Sequence, residues 1–109
     1  MLIAWGNLKE IGIERMNGGA GFVFAKMFAD DNGKIMLSRL PQGASIGLHR
    51  HTDSSEVNYV VSGRGEACCD GQTEPLEAGL CHYCPKGASH SIRNTGQEEL
   101  VLFTVVPKQ

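Results

Sequence analysis

Apolar positions along this chain fall into short runs separated by turn residues, the pattern of strands rather than helices. The clearest run is Leu100-Val-Leu-Phe-Thr-Val-Val106, and the polar Gly96-Gln-Glu-Glu99 before it reads as a loop. Gly21-Phe-Val-Phe-Ala-Lys-Met-Phe28 and Lys34-Ile-Met-Leu-Ser-Arg-Leu40 form another pair of strands. Between them Asp30-Asp31-Asn32-Gly33 contains an Asn-Gly step, a strong hairpin signal. Gly65-Glu-Ala-Cys-Cys69 and Thr73-Glu-Pro-Leu76 flank a second turn at Asp70-Gly71. Glu56-Val-Asn-Tyr-Val-Val61 is rich in β-branched residues, and Leu80 to Cys84 makes a further short strand. Ala4 to Ile11 alone suits a short helical or irregular segment. Many short strands with regular turn signals predict an all-β sandwich or barrel.

Chemistry enters with two spaced segments, Gly43 to Gly63 and Gly79 to Asn94. The first is Gly43-x5-His49-x-His51-x4-Glu56-x6-Gly63, and the second is Gly79-x5-Pro85-x-Gly87-x2-His90-x3-Asn94. In an extended strand side chains alternate between faces, so His49 and His51 point to the same side and can chelate one ion together. The polar stretch Thr52 to Ser55 forms a turn that returns Glu56 beside them. His90 follows the turn Pro85-Lys-Gly87-Ala-Ser, where one strand ends and another begins. Three imidazoles and a carboxylate leave two positions open on an octahedral ion such as iron(II), manganese(II), cobalt(II) or nickel(II). A barrel that uses these residues only as hydrogen-bonding groups is the bland alternative. The glycines Gly43, Gly63, Gly79 and Gly87 serve turns that need positive φ and do no chemistry.

The two segments resemble the two sequence motifs of the cupins, with every signature position filled. The resemblance implies a double-stranded β-helix, or jelly-roll barrel, spanning residues 1–109 as a single domain. It also implies one divalent transition-metal ion (iron, manganese, nickel, cobalt or zinc) held by His49, His51, Glu56 and His90 inside the barrel. The family includes dioxygenases, sugar-phosphate isomerases, oxalate-degrading enzymes and lyases, so a small-molecule metalloenzyme of dioxygenase, isomerase, decarboxylase or lyase type is the leading expectation. The alternative is a barrel that binds a sugar or small acid without turnover. Small cupins usually form dimers by pairing edge strands. Gly21 to Phe28 and Lys34 to Leu40 are expected to leave an open apolar edge, which a homodimer would cover. The stripe Phe22, Phe24 and Phe28 suits such an interface or the core equally.

Composition narrows the partners. At 109 residues the chain can bury about two thirds of its unfolded surface, enough for one core, and no linker divides it. A formal net charge of -2, with both signs dispersed, offers no basic patch for nucleic acid or a membrane surface. A small-molecule partner is the default. Met1-Leu-Ile-Ala-Trp-Gly-Asn7 lacks the features of a signal peptide and no run is long enough to span a membrane, so a cytoplasmic location is expected. Cys81 and Cys84 have C-x-x-C spacing and Cys68 and Cys69 are adjacent. In strands both pairs would face opposite sides, which favours free thiols in the barrel wall over a zinc site. Cys81 and Tyr83 share one face and His82 and Cys84 the other, and either pair could line the cavity. Asn58 and Val60 should point inward with Glu56, and Asn94 should bond backbone in a turn; Arg39 either faces solvent, the favoured reading, or points inward to hold a substrate carboxylate or phosphate.

Overall fold

The computed structural model describes residues Met1–Gln109. Ten antiparallel strands follow in chain order: β1 (Ile11–Glu14), β2 (Phe22–Asp30), β3 (Gly33–Leu40), β4 (Ser45–Arg50), β5 (Glu56–Ser62), β6 (Arg64–Cys69), β7 (Gln72–Glu77), β8 (Cys81–Cys84), β9 (Ser89–Asn94) and β10 (Leu100–Pro107). They build a six-stranded sheet in the order β1-β2-β3-β10-β5-β8 and a four-stranded sheet in the order β4-β9-β6-β7. This is the jelly-roll barrel expected from the motifs. Only two short 3-10 turns, Trp5–Asn7 and Met16–Gly18, interrupt the β structure.

Strand alternation explains the core. Along β10, Leu100, Leu102, Thr104 and Val106 are buried, while the residues between them are partly exposed. Leu100 pairs with Leu40 on β3, and Val60 on β5 and Val23 on β2 complete the larger sheet's inner face. Ile46, Ala67, Leu76 and Ile92 meet them from the smaller sheet. Full burial of leucines such as Leu40, Leu100 and Leu102 contributes about 1.5–3 kcal/mol each. Farther along the same inner face the residues turn polar, with Ser38, Asn58 and Thr104 all buried. That change divides the barrel into a dry end and a chemical end.

The Asp70-Gly71 turn forms as expected, with Asp70 at φ 47° and Gly71 at φ 83° joining the paired residues Cys69 and Gln72. The first hairpin also forms, but its central residues are Asp31 and Asn32. Gly33, at φ 135°, is the first paired residue of β3, and the Asp30 carboxylate accepts from the Asn32 amide at 2.8 Å.

The open-edge expectation is corrected. β2 and β3 are interior strands, because Ile11–Glu14 pairs with β2 from within the same chain. The sequence gives little sign of β1, since Ile-Gly-Ile-Glu is too short to show a period. The free edges are β1 and β8 in one sheet and β4 and β7 in the other. The phenylalanines lie on the outer face of β2, with Phe22 exposed and Phe24 and Phe28 partly so, while the small residues Val23 and Ala25 point inward. Arg39 is also outward. Its guanidinium sits 4.3 Å from the Phe24 ring centre, donates twice to Glu10 and once to Glu99, and so ties the N-terminal segment to the sheet.

Candidate metal centre

His49, His51, Glu56 and His90 converge at the polar end of the barrel, with one potential ligand atom from each lying within 4.8 Å of all the others. Each reaches the cluster for a local reason. Opposite β9, β4 shifts register between Ile46 and His49, which is paired directly with His90. The shift contains Gly47, whose carbonyl lies 2.8 Å from His49 Nδ1. Gly47 also lies against the backbone of Asn17, too close for any side chain. His51 follows the end of β4. Its amide donates to the Ala88 carbonyl and its own carbonyl accepts from Gly87, which clamps the first motif onto the turn leading to His90.

Glu56 opens β5, as the sequence predicts, and its carboxylate is oriented from below. Asn58 donates to Glu56 Oε2 at 2.7 Å, and the Thr104 hydroxyl donates to Asn58 Oδ1 at 2.6 Å. Asn58 and Val60 both point inward, as expected. Asn94 also behaves as expected. Its amide donates to the carbonyls of Leu40 and Glu98 and its oxygen accepts from Gly96, closing a turn far from the chemistry.

The separations fit an ion. His90 Nε2 lies 3.0 Å from both His49 Nε2 and His51 Nε2, His51 Nε2 is 3.1 Å from Glu56 Oε1, and His90 Nε2 is 3.3 Å from Glu56 Oε2. Adjacent donors around an ion with bonds of about 2.1 Å are about 3.0 Å apart on an octahedron and about 3.4 Å apart on a tetrahedron, and the four separations fall between those values. The protonation pattern fits as well. A carbonyl only accepts, so His49 carries its proton on Nδ1 and turns a bare Nε2 to the centre. Burial, reinforced by repulsion from His49, His82 and His51, pushes His90 down to about 3, and burial also lowers His51 against the attraction of Glu56. Both rings are therefore neutral at pH 7, the form that can ligate.

A cavity of about 220 Å³ opens onto the cluster and is lined also by Lys34, Met36, Ser38, Asn58 and Thr104. Beyond His49, His51 and Glu56, Lys34 is the one ionisable side chain in its wall. On β8, His82 and Cys84 face inward and are fully buried, whereas Cys81 and Tyr83 are exposed. The C-x-x-C pair thus points to opposite faces, and all four cysteines are free thiols. Burial pushes the Cys84 thiol up to about 12 and raises Cys69 too, so neither supplies a thiolate at neutral pH.

Three supporting residues escape the sequence reading. Thr104 is signalled there as the one polar residue among the inward positions of Leu100 to Val106, and Ser54, whose hydroxyl lies 3.2 Å from His51 Nδ1, sits in the turn between His51 and Glu56. Glu74, which meets His82 from the other sheet, has no local signal at all.

With this barrel and this cluster, the chain belongs to the cupin family, whose Cupin domain model matches residues 36–106. Among its relatives, an oxalate-binding protein of Thermotoga maritima is 33% identical over 100 residues, covering 86% of this chain and 83% of the relative. A Streptomyces cyaneus protein named polyketide synthase CurC is 35% identical over 95 residues, covering 85% of this chain and 62% of its own length. Among solved structures, a predicted oxalate decarboxylase from Thermotoga maritima superposes with a TM-score of 0.94 at 29% identity over the whole of both chains. KdgF from Halomonas, at 18% identity and a TM-score of 0.81, covers all of this chain and 94% of its own, and shares the fold.

Proposed function

We propose that this chain is a metalloenzyme that takes a small organic acid of the oxalate class onto a divalent transition-metal ion held by His49, His51, Glu56 and His90. The observation that carries the reading is the set of four donors whose potential ligand atoms lie within 4.8 Å of one another, beside a small polar cavity whose wall adds a single cation, Lys34. Three imidazoles and a carboxylate suit iron(II), manganese(II), cobalt(II), nickel(II) or zinc. An ion held there supplies Lewis acidity and two open positions, enough for two oxygens of one acid. Asn58 and Thr104 keep the Glu56 carboxylate turned toward the centre, and the Lys34 ammonium holds a negatively charged oxygen of the acid. The name of the Thermotoga relative supports the choice of acid.

Calorimetric titration of oxalate into manganese-loaded protein tests this. Binding should vanish on metal removal and weaken about tenfold in Lys34→Gln, the loss of one charge contact worth about 1.4 kcal/mol. Oxalate affinity indifferent to the metal would sink the proposal. A second reading, ligand binding without turnover, is favoured by the scarcity of proton-transfer groups, since Lys34 is the one ionisable residue beside the proposed ligands. Decarboxylation consumes one proton per oxalate and yields formate and carbon dioxide, so formate release decides between the two.

The same reading takes the molecule to be a cytoplasmic homodimer. Its free thiols accord with a reducing compartment. Phe22, Tyr59, Val61 and Tyr83 are exposed on the outer face of the six-stranded sheet, apolar surface that a second copy would bury. Light scattering at micromolar concentration should report about twice the 11.8 kDa chain mass. A mass of one chain would dismiss the dimer and leave the metal site untouched.

A further inference from the structure

His82 is fully buried on the inner face of β8, yet it is not one of the clustered donors. Its Nε2 lies 2.9 Å from His90 Nδ1, the ring nitrogen of His90 that points away from the centre. The two ring planes are 22° apart with centroids separated by 5.2 Å. Those two nitrogens therefore lie nearly on the line joining the ring centres, and the contact is an in-plane hydrogen bond rather than a stack. On its other side, His82 Nδ1 lies 2.5 Å from Glu74 Oε1. Glu74 is half-exposed on β7, the edge strand of the smaller sheet, and His82 is on β8, the edge strand of the larger one. The chain Glu74, His82, His90 thus crosses the seam between the two sheets, from solvent to the cluster.

The direction of the protons follows from the carboxylate. A carboxylate oxygen accepts, so His82 carries a proton on Nδ1, and in the neutral imidazole that leaves Nε2 as the acceptor. His90 must then donate from Nδ1, which leaves its Nε2 bare. That nitrogen faces the equally bare Nε2 of His49 at 3.0 Å with no proton between them, an arrangement that a cation relieves.

We propose that Glu74 and His82 are positioning residues: they hold His90 in its Nδ1-protonated tautomer and in the plane that aims Nε2 at the ion. The inference rests on the metal-site reading above for its purpose, though the tautomer it specifies exists without metal.

The test uses the full chain. On metal-free protein labelled with nitrogen-15, long-range imidazole spectra at pH 7.5 should show His90 protonated at Nδ1 in the wild type. In His82→Leu and in Glu74→Gln the His90 tautomers should mix. Cobalt(II) affinity should fall about 10–100-fold in His82→Leu. His82→Gln, whose amide oxygen can accept from His90 Nδ1, should recover most of the loss, which a purely space-filling role for His82 does not provide. Glu74→Gln lies at the surface and keeps the test available if the buried substitution fails to fold. His90 protonated at Nε2 in the wild type, or cobalt affinity unchanged in folded His82→Leu or Glu74→Gln protein, would overturn the relay. A wild type that shows the Nδ1 tautomer but binds no cobalt, manganese or iron would instead overturn the metal reading, and the spectra tell the two failures apart.

Discussion

His51→Ala protein should come off purification with its metal content reduced to less than about a tenth, while His82→Ala retains most of its metal. The difference follows from where the two rings stand. His51 Nε2 is 3.0 Å from His90 Nε2 and 3.1 Å from Glu56 Oε1, inside the donor set, so its removal would delete one of the four proposed bonds to the ion. His82 touches the set only through the back of His90. Losing it weakens the site by about 10–100-fold, which leaves a tight site largely filled at preparative concentrations. Elemental analysis of the two variants decides the matter. Equal losses, or none in either, would mean that the motif histidines are not the ligands.

Chelation of the loaded protein should lower its melting temperature by roughly 20 °C. An ion that binds only the folded barrel, present at about a thousandfold above its dissociation constant, contributes about 4 kcal/mol, and for a chain of this size each kcal/mol moves the midpoint by about 4–8 °C. The geometry gives the ion a structural part. It would link β4, β5 and β9, which belong to both sheets, and it relieves the crowding of a carboxylate and three imidazoles at the polar end. Calorimetry on loaded and stripped samples measures the shift. A melting curve unmoved by chelation, on protein shown to have lost its ion, would mean that the metal serves ligand binding or chemistry and adds little to folding.

Much of the site is legible in the order of residues because its parts are local. The two-residue spacing of His49 and His51 puts both on one face of an extended strand, and the turn-forming Thr52 to Ser55 returns Glu56 to them. The Gly47 register shift perturbs this pattern without breaking it. Asn58 and Val60 follow Glu56 inward by the same alternation, and Asn94 bonds backbone as a turn residue does. The turns at Asp31-Asn32 and Asp70-Gly71 are likewise short-range matters, although the placing of Gly33 one step into β3 depends on which residues pair across the hairpin.

Alternation states that a strand has two faces and leaves open which one the barrel buries. For that reason the inward turn of His82 and Cys84, and the outward turn of Phe22 and Phe24, emerge only when sheet is packed on sheet. Ile11–Glu14 is too short to declare itself as a strand, and its pairing with β2 is what moves the sheet edge away from the N-terminal strands. The link from Glu74 to His82 joins two edge strands of different sheets, a contact that no spacing along the chain encodes. By itself the sequence determined the all-β class, the shared face of His49 and His51 and the turn residues, since each rests on strand period and local turn chemistry, while the barrel and the fourth donor, His90, came from the resemblance of the two motifs to the cupins. The tertiary structure alone decided what stands behind those donors, because hydrogen bonds between sheets depend on how the sheets meet.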